Sequence, residues 1–132
     1  MPTLHRRAFR HAVDLSCQIV RERDFRLVGD RAVDLSTDGM LVSATRPVLT
    51  GEVVLVSFRP PRSARWIDAQ ATVTRVVHGR RPGERERRIG LAFHGLDEET
   101  RHLLFRELRG VPAVEKVGVG GGTRERARRG GL

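Results

Sequence analysis

The chain has 132 residues, 39% of them apolar, and a formal charge of +9. That length suits one domain with its own core. A single cysteine, Cys17, excludes an internal disulfide framework and points to a reducing, cytoplasmic setting. Apolar runs such as VVLV at 53–56 are too short to span a bilayer, and no apolar block follows the basic N-terminus, so neither a membrane span nor a secretory signal is expected. Cys17 itself reads as a buried, inert thiol. The charge is almost all arginine, with Lys116 the lone lysine. It favours anionic partners, and the planar guanidinium fork suits guanine edges and phosphates better than a point charge does.

Residues 1–12 are basic with no acidic residue, and read as a flexible arm. From Val13 the chain alternates, with Val13, Leu15, Cys17 and Ile19 on one face and Asp14, Ser16 and Gln18 on the other, as a half-buried strand does. RAVDLS at 31–36 and GMLVSA at 39–44 read as two strands joined by a turn at Thr37–Asp38. EVVLVSF at 52–58 is another, stopped by Pro60–Pro61. Over 66–77, Ile67, Ala69, Ala71, Val73 and Val77 share a face broken only by Arg75, and Trp66 is expected to pack against the rest of the fold. RRPGERERR at 80–88 is a polar connector, and RIGLAF at 88–93 a further strand. Short strands with Gly/Pro turns predict a closed or partly closed barrel. After Leu96 the period becomes helical. Asp97 is the N-cap of a helix over 97–109, and Thr100, Leu103, Leu104 and Leu108 form its apolar stripe. The core domain is thus 13–110, followed by a Gly/Arg-rich tail at 111–132 with no regular period, read as disordered.

Two short patterns carry chemistry. In DLSTDG, Asp34 and Ser36 stand two apart, so they project to the same side of a strand end. Gly39, with no Cβ, lets something approach the backbone where the next strand starts. A carboxylate beside a hydroxyl accepts well from a guanine N1–H and amine, although the same residues also fit an ordinary Asx-turn. In HRRAFR, Arg6 and Arg10 are four apart with Arg7 between them. In so arginine-rich a chain that spacing alone says nothing, and a solvated arm explains it better; its position directly before the first strand, with no acid to pair with it, matters more.

Together, in this order on a barrel-plus-helix pattern, RRAFR at 6–10, DLSTDG at 34–39 and the closing IGLAFHGLDEETRHLLFREL resemble the PilZ domain family over roughly residues 5–109. A register of Arg7 with His11 would put histidine at the second arginine position; Arg6 with Arg10 completes the motif. The resemblance implies a mainly β fold, a six-stranded antiparallel β-barrel with a C-terminal α-helix. It also implies a bacterial cyclic di-GMP receptor, with Arg6, Arg7, Arg10, Asp34, Ser36 and Gly39 as ligand-binding residues. Arg6 and Arg10 would fork onto guanine or phosphate, Arg7 would help at a phosphate, and Gly39 would leave room for the ring. His5, just before the first motif arginine, leaves one or two ligand molecules open.

No catalytic grouping is evident, so the expectation is a receptor and not an enzyme, with no cofactor beyond the nucleotide ligand. The five histidines show neither a paired spacing nor cysteine partners, so no metal site is expected. GVGGGT at 118–123 lacks the G-K-[ST] ending of a phosphate loop and reads as linker. The ligand's downstream partner would be a protein effector, and the chain a monomer or weak dimer. Two other readings stand beside this one. A nucleic-acid-binding module is motivated by the charge and opposed by the scarcity of aromatics. A protein-interaction adaptor without nucleotide is opposed by the intact motif residues.

Overall fold

A computed structural model describes residues 9–79 and 86–113. The leader residues Arg6 and Arg7, most of the expected arm and tail, and most of the 80–88 connector lie outside them. The described chain forms six strands and one helix: β1 (His11–Arg21), β2 (Leu27–Leu35), β3 (Gly39–Ala44), β4 (Val53–Phe58), β5 (Ile67–Val77), β6 (Arg88–Phe93) and α1 (Glu98–Leu108). All pairings are antiparallel, and the strands close a barrel in the order β1-β2-β3-β6-β5-β4, with β4 returning to β1.

Inward residues alternate along each strand and fill the barrel. Ile19, Val28, Leu35, Met40, Val73 and Ile89 are fully buried. Helix α1 lies on this core through Leu103, Leu104 and Leu108. The Asp97 carboxylate accepts from the Thr100 amide at 2.7 Å, as an N-cap should, and Glu98 and Glu99 complement the helix dipole. Truncating Leu104 to Ala would leave a cavity and cost about 2–5 kcal/mol. Burial pushes the Cys17 thiol up to about 12, with Asp30 adding to the effect.

Four details differ from the sequence reading. β1 begins at His11 and not at Val13, because backbone pairing holds it on both sides. His11 is opposite Leu35 and bridges to Ala113, and the Ala12 amide donates to Pro112 O at 3.0 Å. β2 begins at Leu27. The preceding hairpin lacks any Gly, Pro or Asn, and turns instead with Phe25 at φ 56° and an Arg21–Asp24 ion pair. The bulge between Val73 and Arg75 on β5 shifts the inward set, so Val76 packs on the core while Arg75 faces out. Trp66 is 58% exposed, with the Arg59 guanidinium 5.9 Å from its ring centre, and does not pack on the barrel. No helix among the described residues is long and apolar enough to cross a membrane.

Candidate functional site

The two buried polar residues among the described residues are Asp34 and Ser36, both from the DLSTDG stretch. Burying a polar group is costly unless it is paired, so such residues need a reason. Leu35 points into the core opposite Met40, which sends its neighbour Asp34 to the outer wall, between Ala12 of β1 and Leu41 of β3.

Arg10 stands over Asp34. Its Nε is 3.4 Å from Asp34 Oδ1, and its side chain stays 42% exposed while that of Asp34 is 9% exposed. Arg10, read from the sequence as part of an arm with no acid to pair with it, instead faces the Asp34 carboxylate. The contact is an ion pair without hydrogen-bond geometry: Oδ1 is buried and accepts no hydrogen bond. A buried carboxylate oxygen with unused acceptor capacity fits a ligand that brings N–H donors, such as the N1–H and amine edge of guanine.

Ser36 is differently engaged. Its Oγ accepts from the Asp38 amide at 3.0 Å and the Gly39 amide at 3.2 Å, and lies 3.4 Å from the Gly39 carbonyl as donor. Its capacity is spent inside the turn, so it positions the β2–β3 connection that carries Asp34. Gly39 is also required by the fold. A Cβ there would collide with the Leu91 carbonyl oxygen and stand 3.2 Å from Ala92 Cα. What comes close to Gly39 is thus strand β6, where the sequence reading reserved the space for a ligand ring.

Arg101, which the sequence reading did not single out, braces this turn from α1. It donates to Thr37 O at 3.4 Å and pairs with Asp38 at 3.5 Å. No local pattern marks it, because its role arises from a contact across 64 positions of sequence. Arg6 and Arg7 lie outside the described residues. Among the described residues no cluster of three or more His, Cys, Asp or Glu could hold a metal ion.

The PilZ domain model matches residues 4–110, which takes in both motifs, the barrel and the helix. Two similar solved structures share the fold. One is MotI/DgrA, an inhibitor of motility from Bacillus subtilis, with TM-score 0.64 and 20% identity. The match covers 79% of this chain but 49% of that one, so this chain spans about half the length of MotI/DgrA. The other is the PilZ domain of YcgR from Escherichia coli, solved with c-di-GMP, with TM-score 0.59 and 19% identity, covering 77% of this chain and 87% of that one. No curated protein matches. A six-stranded barrel closed by a C-terminal helix, both motifs in order and a family match across most of the length make this chain a member of the PilZ domain family.

Proposed function

We propose that this chain is a non-enzymatic receptor for cyclic di-GMP. The observation that carries the reading is the buried Asp34 carboxylate at the barrel wall, with Arg10 over it and Oδ1 accepting no hydrogen bond. Family membership and the c-di-GMP of the YcgR domain structure support the choice of ligand. Asp34 takes the N1–H and amine of one guanine. Arg10 and Arg6 fork onto guanine or phosphate oxygens, with Arg7 as a further phosphate contact. Ser36 and Gly39 act by holding the turn.

Binding would order the leader ahead of His11 and alter the surface shown to a protein effector. The likeness to MotI/DgrA, an inhibitor of motility, fits such signalling through a protein partner.

Calorimetric titration of wild type, Arg10→Ala and Asp34→Ala with cyclic di-GMP tests the reading. Each charge-assisted hydrogen bond contributes about 1.5–3 kcal/mol, so either variant should weaken binding at least about ten- to a hundredfold. Variants that bind as tightly as wild type would sink the proposed site. General nucleic-acid binding would show itself instead as steep salt dependence with no preference for the cyclic dinucleotide.

A further inference from the structure

The strand register carries the site further across the barrel than the two motifs reach. On the outer face, Asp34 of β2 is opposite Leu41 of β3, Leu41 is opposite Gly90 of β6, and Gly90 is opposite Arg75 of β5. Ala12 precedes Asp34 in the same row, on β1. The row therefore has a floor of Ala12, Leu41 and Gly90, with Arg10 near one end and Arg75 at the other. Gly90 is buried although it faces outward, because Arg75 lies back over it: a Cβ at Gly90 would stand 3.5 Å from Arg75 Cβ and 3.8 Å from its Nε. The bulge at Val73/Arg75 is what turns this arginine out of the inward-facing set.

The next row also holds arginines, but they are paired. Arg31 is 2.8 Å from Asp14, and Arg88 is 3.6 Å from Glu86. Arg75 has no ion-pair partner among the described residues. With strands about 4.8 Å apart, Gly90 is on the order of 10 Å from Asp34 along the row. That is the span of a purine and the phosphate joined to its sugar.

Resting on the receptor reading above, we propose that Arg75 is a further ligand contact. It holds a phosphodiester phosphate of the cyclic dinucleotide across the Leu41–Gly90 floor from the guanine on Asp34. A guanidinium that stays charged, leans over an apolar floor and has no ion-pair partner among the described residues suits an anion.

The test is calorimetry of the full chain with cyclic di-GMP, with melting temperature as a fold control. Arg75 is exposed, so Arg75→Ala should keep the wild-type melting temperature while weakening binding about ten- to a hundredfold. Arg75→Lys should lose clearly less affinity than Arg75→Ala, because a phosphate accepts a point charge, though less well than a fork. Arg88→Ala, which removes the same formal charge from the neighbouring row, should bind within about threefold of wild type. Wild-type affinity in Arg75→Ala overturns this contact and leaves the receptor reading intact. Equal losses in Arg75→Ala and Arg88→Ala reduce the effect to net charge and also overturn it. Loss in Arg75→Lys as deep as in Arg75→Ala overturns the phosphate assignment. If wild type itself does not bind, the receptor reading fails and this contact fails with it.

Discussion

Arg10 Nε and Asp34 Oδ1 are 3.4 Å apart, close enough to neutralise one another and without the geometry of a hydrogen bond. The carboxylate is buried, so removing this partner leaves a buried charge uncompensated. Arg10→Ala should then lower stability by about 1 kcal/mol, discounted because Arg10 is half exposed. Asp34→Asn should melt at or above the wild-type temperature, since it removes a buried charge whose Oδ1 accepts no hydrogen bond. The double variant should recover what Arg10→Ala loses, although each of these variants is expected to bind cyclic di-GMP poorly. Thermal unfolding of the four proteins checks this, and a stability loss in Asp34→Asn larger than in Arg10→Ala would contradict it.

Gly39 and Gly90 lie on adjacent strands, yet they should respond differently to substitution. Gly39→Ala drives a methyl group into the Leu91 carbonyl and forces β3 and β6 apart; a loss of more than about 2 kcal/mol is expected. Gly90→Ala meets only ordinary van der Waals contacts, the nearest at 3.5 Å, and should stay within about 1 kcal/mol of wild type. Urea denaturation of the two variants separates a packing role for Gly39 from one confined to the ligand: the second role would leave the unfolding midpoint of Gly39→Ala unchanged.

Ser36→Ala removes the acceptor of two buried or half-buried amides, those of Asp38 and Gly39. The expected cost is about 1–2 kcal/mol in stability. Binding should weaken less than in Asp34→Ala, because the hydroxyl acts through the shape of the turn. Ser36→Thr keeps the oxygen and should restore most of both quantities. A Ser36→Ala protein with normal stability and abolished binding would make Ser36 a direct contact.

The bounds of β3 and β6 and the Asp97-capped helix were legible because turn residues, periodicity and capping are local properties of the chain. What was not legible depends on distant partners. The start of β1 at His11 comes from pairing with Leu35 and the chain around Ala113. The brace from Arg101 to the motif turn, and the row that ends on Arg75, come from strand and helix placement that no window of sequence contains. The use of Gly39 belongs here too: a missing Cβ announces a close approach without saying what approaches.

Acid should destabilise the fold in a window that the surface carboxylates define. The Arg21 guanidinium, through its hydrogen bond, holds Asp24 at about 2 against an ordinary value of 3.8. Glu52 is lowered chiefly by the Leu49 amide and then by Arg23, and Asp97 by the Thr100 amide. Each folded value lies below its unfolded one. The stabilisation is therefore fully present above roughly pH 4.5 and is lost as pH falls through the folded values, towards pH 2. All three groups are solvent-facing, so salt should soften the effect. Asp97→Asn keeps an N-capping oxygen but cannot titrate. It should melt a few degrees below wild type at pH 7, and the gap should narrow or close at pH 3 as the wild-type carboxylate gains its proton. Melting curves at the two pH values check this, and a gap that widens on acidification would show that the Asp97 charge does not stabilise the helix start.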